Sequence, residues 1–242
     1  MEEKGTRLNK YLSECGVCSR RAADRLIGEG KVAVDGFRAQ LGSRVMPGQR
    51  VMVDGEEVET GQREIFLAFY KPRGIVCTEE KREKNNIVDY LKYPVRVFTV
   101  GRLDKESEGL LLLTNKGEAA DQIMRGRNFH EKEYLVTVDR EVTEEFLASM
   151  SRGVPILGTV TRECQVERTG RKSFRIVLTQ GLNRQIRRMC EYLGYQVATL
   201  KRIRVMNIQL DGLKPGEYRE ITGKEREQLD CLLGTGGDYG CR

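Results

Sequence analysis

Apolar positions near the start of the chain recur with the period of a helix and then switch to the period of a strand. Leu8, Tyr11 and Leu12 mark a first helix that Gly16 ends. Ser19 is placed to cap a second helix whose stripe is Ala23, Leu26 and Ile27. Residues 31–36 read as a strand and turn, and residues 45–53 supply another short strand with Gly48 in its turn. The pattern predicts a small helix–helix–strand domain over residues 5–55 and an acidic, polar linker at 56–62.

From residue 64 to 225 the pattern predicts a larger, strand-rich domain. Residues 65–70 read as an apolar strand, 86–91 as a short helix, and 99–113 as two strands around a loop that holds Asp104. A helix is expected at 117–124 and a strand at 133–138. Thr143 begins another helix, with acids in its first turn. Further strands are expected at 159–168, 173–179, 196–200 and 205–210. Asn183 is placed to cap a helix with the stripe Ile186, Met189, Cys190 and Leu193, stopped by Gly194. Strands with helices inserted among them define an α+β class. Residues 226–242 read as a tail, partly disordered because its end is glycine-rich.

The 242 residues carry 42 Lys and Arg against 36 Asp and Glu, a net charge of +6. The excess is uneven. Arg184, Arg187, Arg188, Lys201, Arg202 and Arg204 lie close together, with Glu191 the one acid among them. Such density favours a polyanion, nucleic acid above all, over a merely solvated face. Seven cysteines without a framework predict reduced thiols. No stretch has the length of a membrane-spanning helix, so a cytoplasmic protein is expected. Cys15 and Cys18 have the spacing of a metal pair, but there is no second pair and His130 is the sole histidine, which argues against zinc. A lone histidine also argues against Ser-His and Cys-His nucleophiles. Chemistry is left to carboxylate, Tyr, Lys and Arg.

Asp104 stands out among these. It precedes Leu110–Leu113, a run that reads as a buried strand, and follows Arg102 by two residues. An acid beside a buried strand is costly unless it is paired. A turn residue that caps the next element accounts for Asp104 without any function. A nucleophile accounts for it with one.

Resemblance adds to this reading. Arg7-Leu8-Asn9-Lys10-Tyr11-Leu12, Cys18-Ser19-Arg20-Arg21-Ala22-Ala23 and Gly30-Lys31-Val32-Ala33-Val34-Asp35-Gly36 resemble the S4 RNA-binding module. Gly101-Arg102-Leu103-Asp104, with Ser107, Gly109 and the leucine run, resembles the catalytic motif of the RsuA-type pseudouridine synthases. Asn183-Arg184-Gln185-Ile186-Arg187-Arg188 resembles that family's basic helix, and Lys71-Pro72-Arg73-Gly74 its Lys-Pro-x-Gly turn. The match spans nearly the whole chain. Segments 131–139, 154–161 and 180–185 are most similar to the F-type synthases of large-subunit rRNA. Lys116 and Glu108 depart from the pattern.

The resemblance implies an RNA-binding S4 module followed by a catalytic domain with a mixed, mostly antiparallel sheet flanked by helices. It implies an isomerase that flips a uridine out of folded RNA, breaks its N–C1′ bond, rotates the uracil and joins C5 to the ribose. It implies no metal and no organic cofactor. Asp104 would be the nucleophile, Tyr134 would pack against the uracil, Arg187 would pair with Asp104, and Arg102 would fix the loop. Tyr134 fits a core strand equally well, and Arg184 or Arg188 could replace Arg187. RNA is expected on Arg7, Lys10, Ser19, Arg20, Arg21 and Lys31 of the S4 module, and on Lys71, Arg184 and Arg188 of the larger domain. The implied partner is structured RNA, 23S rRNA with tRNA as a further substrate, met by a monomer. A non-catalytic RNA-binding or ribosome assembly factor would use the same basic surfaces, but it has no need of the Asp104 motif.

Overall fold

The computed structural model describes residues 5–59, 61, 63–80 and 82–234. It divides into two compact units. The smaller comprises the chain up to Glu64 together with Tyr93–Val97 and Asn115–Gly117. Its elements are β1 (Thr6–Arg7), α1 (Leu8–Glu14), α2 (Arg20–Gly28), β2 (Val32–Val34), β3 (Phe37–Arg38), β4 (Arg44–Val45), β5 (Val51–Val53) and β6 (Glu56–Glu57). Ser19 caps α2 as its side chain predicts, its Oγ accepting from the Ala22 amide at 3.2 Å. Leu8, Leu12, Ala23, Ile27, Val32 and Val51 form the core between the helices and the sheet β3-β2-β5-β6. The expected linker at 56–62 is corrected at its start. Glu56–Glu57 pairs with β5, and Val58 is buried on the same core.

The larger unit contains β7 (Phe66–Lys71), α3 (Ile87–Leu91), β8 (Phe98–Val100), β9 (Glu108–Thr114), α4 (Gly117–Met124), β10 (Lys132–Val138), α5 (Glu144–Arg152), β11 (Pro155–Ile156), β12 (Thr159–Val160), β13 (Gln165–Gly170), β14 (Ser173–Leu178), α6 (Gln185–Tyr192), β15 (Val197–Val205), β16 (Ile208–Gln209), β17 (Tyr218–Glu220) and α7 (Gly223–Leu232). Among the described residues, nine strands form one sheet in the order β13-β14-β10-β15-β9-β7-β17, with β16 on β15 and β8 on β9. All pairings are antiparallel except β15 with β9. The class is α+β, as expected.

Leu110 to Leu113 are fully buried in β9, each contributing about 2 kcal/mol through burial. β9 has two neighbours on one edge: β15 beside Glu108 and Gly109, and β8 beside Leu112 to Thr114. Gly109 makes the approach of β15 feasible. It has φ +105°, and a Cβ there would lie 2.2 Å from the Arg202 carbonyl oxygen.

Three expectations are corrected. The strands expected at 196–200 and 205–210 are one long strand, β15, and a short return, β16. The strand expected at 159–168 is broken between β12 and β13. The tail expected from residue 226 is helical as far as Leu232, because Leu229 is buried on the sheet core; residues 235–242 lie outside the described residues. Cys15, Cys18, Cys77, Cys164 and Cys190 are free. No helix among the described residues is long and apolar enough to cross a membrane.

Candidate active site and RNA-facing residues

The loop between β8 and β9 is held by neighbours on several sides. Lys71 Nζ donates to the Ser107 carbonyl at 2.8 Å and to the Pro72 carbonyl at 2.9 Å. The Gly74 amide donates to the Lys105 carbonyl at 2.7 Å. Within the loop the Ser107 amide donates to the Asp104 carbonyl at 3.0 Å, closing a turn. Asp104 is therefore a turn residue through its backbone, while its side chain is left for other work. Lys71, expected on RNA, is fully buried, and burial pushes its pKa down. Its ammonium satisfies loop carbonyls and cannot also meet a phosphate at the surface.

Two arginines face the Asp104 carboxylate. Arg184 Nη1 lies 3.7 Å from its Oδ2 and Arg187 Nε 3.9 Å. Arg184 is exposed and also donates to Glu106 at 3.0 Å, which holds the Glu106 carboxyl below its usual range. Arg187 is more sheltered. Its Nη1 donates to the Val197 carbonyl at 3.3 Å and its Nη2 to Ser107 Oγ at 3.4 Å. Its Nε is buried with no hydrogen-bond partner, so Asp104 is the acceptor within its reach. Burial pushes the Arg187 pKa down, an effect opposed by Glu106 and Asp104. The expected Asn183 cap is corrected: Arg184 occupies the cap position with φ +50°, and the Asn183 side chain accepts from Arg188 at 3.2 Å instead. Gln185 fixes the same turn by accepting from the Leu182 amide at 3.0 Å.

A cavity of about 500 Å³ opens beside this group, within the range of pockets that hold small organic ligands (~300–1,000 Å³). Asp104, Arg102, Tyr134, Arg184 and Arg187 line it. Tyr134 sits half-buried on β10, where it both lines the cavity and packs on the core of that sheet face. Arg102 is exposed. Three further cations line the same cavity, Lys105 of the loop, Lys132 on β10 and Arg202 on β15, the last expected only as part of the basic cluster. Lys132 precedes Tyr134 by two residues, which on a strand means the same face.

The basic cluster expected around residues 184–204 is divided. Arg202 is buried and donates to the Leu110 carbonyl at 2.7 Å, whereas Arg204 pairs with Glu131 and Glu133. Arg188 leans back on Asn183. In the smaller unit Arg7, Arg20, Arg21 and Lys31 are exposed, Lys31 lying 2.8 Å from Glu29. Lys10 lies 3.6 Å from Glu14. Ser19, expected on RNA, spends its oxygen on the helix cap. Among the described residues no group of three or more His, Cys, Asp or Glu could hold a metal ion.

Fold and site together define an enzyme with a loop carboxylate at a positively charged pocket. The family model described as RNA pseudouridylate synthase matches residues 65–192, and the S4 domain model matches residues 6–51. The chain is 52% identical over 235 residues to the dual-specificity RNA pseudouridine synthase RluF of Escherichia coli (strain K12), covering 96% of this chain and 81% of that protein. It is 34% identical over 239 residues to the ribosomal large subunit pseudouridine synthase B of Bacillus subtilis, covering 95% of this chain and 98% of that one. A crystal structure of a pseudouridylate synthase superimposes with a TM-score of 0.69 at 26% identity, covering 94% of this chain and 99% of the other. The chain belongs to the RNA pseudouridine synthases of the RsuA type, isomerases that convert uridine to pseudouridine in RNA.

Proposed function

We propose that the chain isomerises a uridine of 23S rRNA, with Asp104 as the nucleophile and a tRNA as a further substrate. The observation that carries this is Asp104 itself, a carboxylate held in a fixed loop, facing Arg184 and Arg187 at the wall of a cavity that Tyr134 also lines. An adjacent guanidinium favours the ionised, nucleophilic carboxylate. Arg187 is the better partner, because it is anchored and shielded while Arg184 is shared with Glu106. Tyr134 offers its ring to an extruded base. Arg102, exposed beside the cavity, steadies the loop and meets the flipped nucleotide. Arg7, Lys10, Arg20, Arg21 and Lys31 of the S4 domain, with Arg184 and Arg188, supply phosphate contacts.

The relatives' names, one a ribosomal large subunit synthase and one of dual specificity, support the two RNA classes. An RNA substrate supports the expected cytoplasmic location. The test uses 23S rRNA and tRNA transcripts carrying 5-tritiated uridine. Joining C5 to the ribose expels the C5 hydrogen, so turnover releases tritium to water. Wild-type protein should release it, and Asp104→Asn should bind the RNA normally and release none. Undiminished release by Asp104→Asn would remove Asp104 from the chemistry; silence on 23S rRNA with release from another RNA would move the target.

A further inference from the structure

Lys132 and Arg202 are two cations, one half-buried and one buried, with no acid to neutralise them. Arg202 is 3% exposed, its Nε is spent on the Leu110 carbonyl, and its Nη2 is buried without a hydrogen-bond partner. Lys132 Nζ donates to the His130 carbonyl at 3.1 Å, which leaves two of its three N–H groups unused. Neither cation has a carboxylate within ion-pair distance among the described residues. Both line the cavity that holds Asp104. They are brought together by the strand register: Tyr134 lies opposite Arg202, and Lys132 shares the Tyr134 face of β10. Withdrawing unpaired cations from water is expensive, so a site that keeps one buried and one half-buried is built for an anion that arrives later.

We infer that Lys132 and Arg202 form the anion site that receives the uracil once its bond to the ribose is broken. This rests on the reading that the cavity carries out the isomerisation. When the N1–C1′ bond breaks, its electron pair leaves with the base. The vacancy this leaves at C1′ is filled either by an oxygen lone pair of Asp104, forming an Asp104–C1′ bond, or by the C2′–H bond pair as Asp104 takes the 2′ proton, forming a C1′=C2′ double bond. In both cases the detached uracil is an anion, its charge spread over N1 and the two carbonyl oxygens. C5 then bonds to C1′ as the Asp104–C1′ bond breaks or the 2′ proton returns to C2′; the C5 proton departs and N1 takes up one in its place. Two preorganised cations at the position of the developing charge lower that barrier without reorganisation. A backbone phosphate is a poorer occupant, since Arg202 is shielded from the surface where the phosphates run.

The charged surroundings agree. Besides Lys132 and Arg202, the cavity is faced by Arg102 and Lys105 of the loop, by Arg184 at the cap of α6 and by Arg187 within it, with Asp104 the single acid among its described lining residues. Burial and the neighbouring Arg202 push the Lys132 pKa down to about 8. His130, which adjoins it, has its own pKa pushed down by burial and by Lys132.

The test is tritium release by the full-length protein, with Kd measured on the same RNA. Lys132→Met should lower single-turnover release by ~10²–10³-fold, the usual loss of an oxyanion donor, while Kd stays within about twofold. Wild-type kcat/KM should fall as pH rises through about 8, as Lys132 loses its proton. Lys132→Arg should move that fall to higher pH. A Lys132→Met rate within about threefold of wild type overturns the inference. So does a defect confined to Kd with a shallower salt slope, the mark of a phosphate contact. The wild-type pH profile needs no variant to fold, and a kcat/KM still level at pH 10 also overturns it. Wild type that releases no tritium from any RNA fails the parent reading and takes this inference with it.

Discussion

Arg202 and Arg204 stand two residues apart on one strand and meet opposite fates. Arg204 is neutralised twice, by Glu131 at 2.9 Å and by Glu133 at 2.6 Å. Arg202 meets a backbone carbonyl and the cavity. Regular alternation would put both on the same face. A bulge at Ile203 prevents that, since Tyr134 pairs with Arg202 while its neighbour Glu133 pairs with Arg204. The extra residue turns one arginine toward Tyr134 and the other toward Glu133. The contrast separates charges that hold the sheet together from charges kept for a ligand. The first kind come with their partners; the second kind wait for theirs.

The strongest way to break this contrast is to disturb the strand that carries both arginines. Gly109→Ala puts a methyl against the Arg202 backbone at a φ that side chains rarely adopt. It should cost at least about 3 kcal/mol in urea denaturation, through overpacking and backbone strain together. A cost below about 1 kcal/mol would mean that β15 is free to shift, and the opposite facings of Arg202 and Arg204 would then not be fixed.

A smaller effect tests the neutralised face alone. Glu133 is 8% exposed and accepts from Arg175 at 2.9 Å as well as from Arg204. Glu133→Gln leaves both arginines under-compensated, though Glu167 and Glu131 still reach them. The loss should be about 2 kcal/mol, below the usual figure for a broken buried pair because Arg175 is partly solvated. Tritium release per folded molecule should change less than about twofold. A rate loss as large as that of Lys132→Met would erase the distinction between the two faces.

Much of this was legible in the chain. Four consecutive leucines suit a strand covered on both faces, and β9 is where they lie. Ser19 and Thr143 announced their helices because a short hydroxyl side chain at that point satisfies an otherwise orphaned amide. Asp104 emerged because the lone histidine and scattered cysteines left little other chemistry. The failures share a cause, since each depends on which way a side chain faces. Lys71 carries a charge and so reads as surface, yet its ammonium is consumed by two carbonyls. Arg202 was grouped with Arg204 because a bulge leaves no mark in the order of residues. Asn183 was a reasonable cap by type, but the helix begins one residue later, on an arginine in the left-handed region.

The subtlest test of the contrast sets stability against activity at the unpaired face. Folding holds Lys132 at a pKa of about 8, below the 10.5 of the free side chain, because burial and Arg202 disfavour its charge. Below pH 8 both folded and unfolded states carry that proton, and the folded state bears the cost of burying it. Between pH 8 and 10.5 the unfolded chain binds more protons than the folded one, so stability from this group rises with pH and is lost again as pH falls through about 8. Lys132→Met removes the charge outright. At pH 7 the variant should equal or exceed wild type in stability, by up to roughly 1 kcal/mol, as replacing an uncompensated buried ion by an apolar group allows. The gap should close as the pH is raised toward 10.5, while wild-type turnover declines over the same range. Urea denaturation of both proteins at several pH values measures the gap. A methionine variant that is markedly less stable at pH 7, or a gap that widens with pH, would show Lys132 to be a structural charge of the same kind as Arg204.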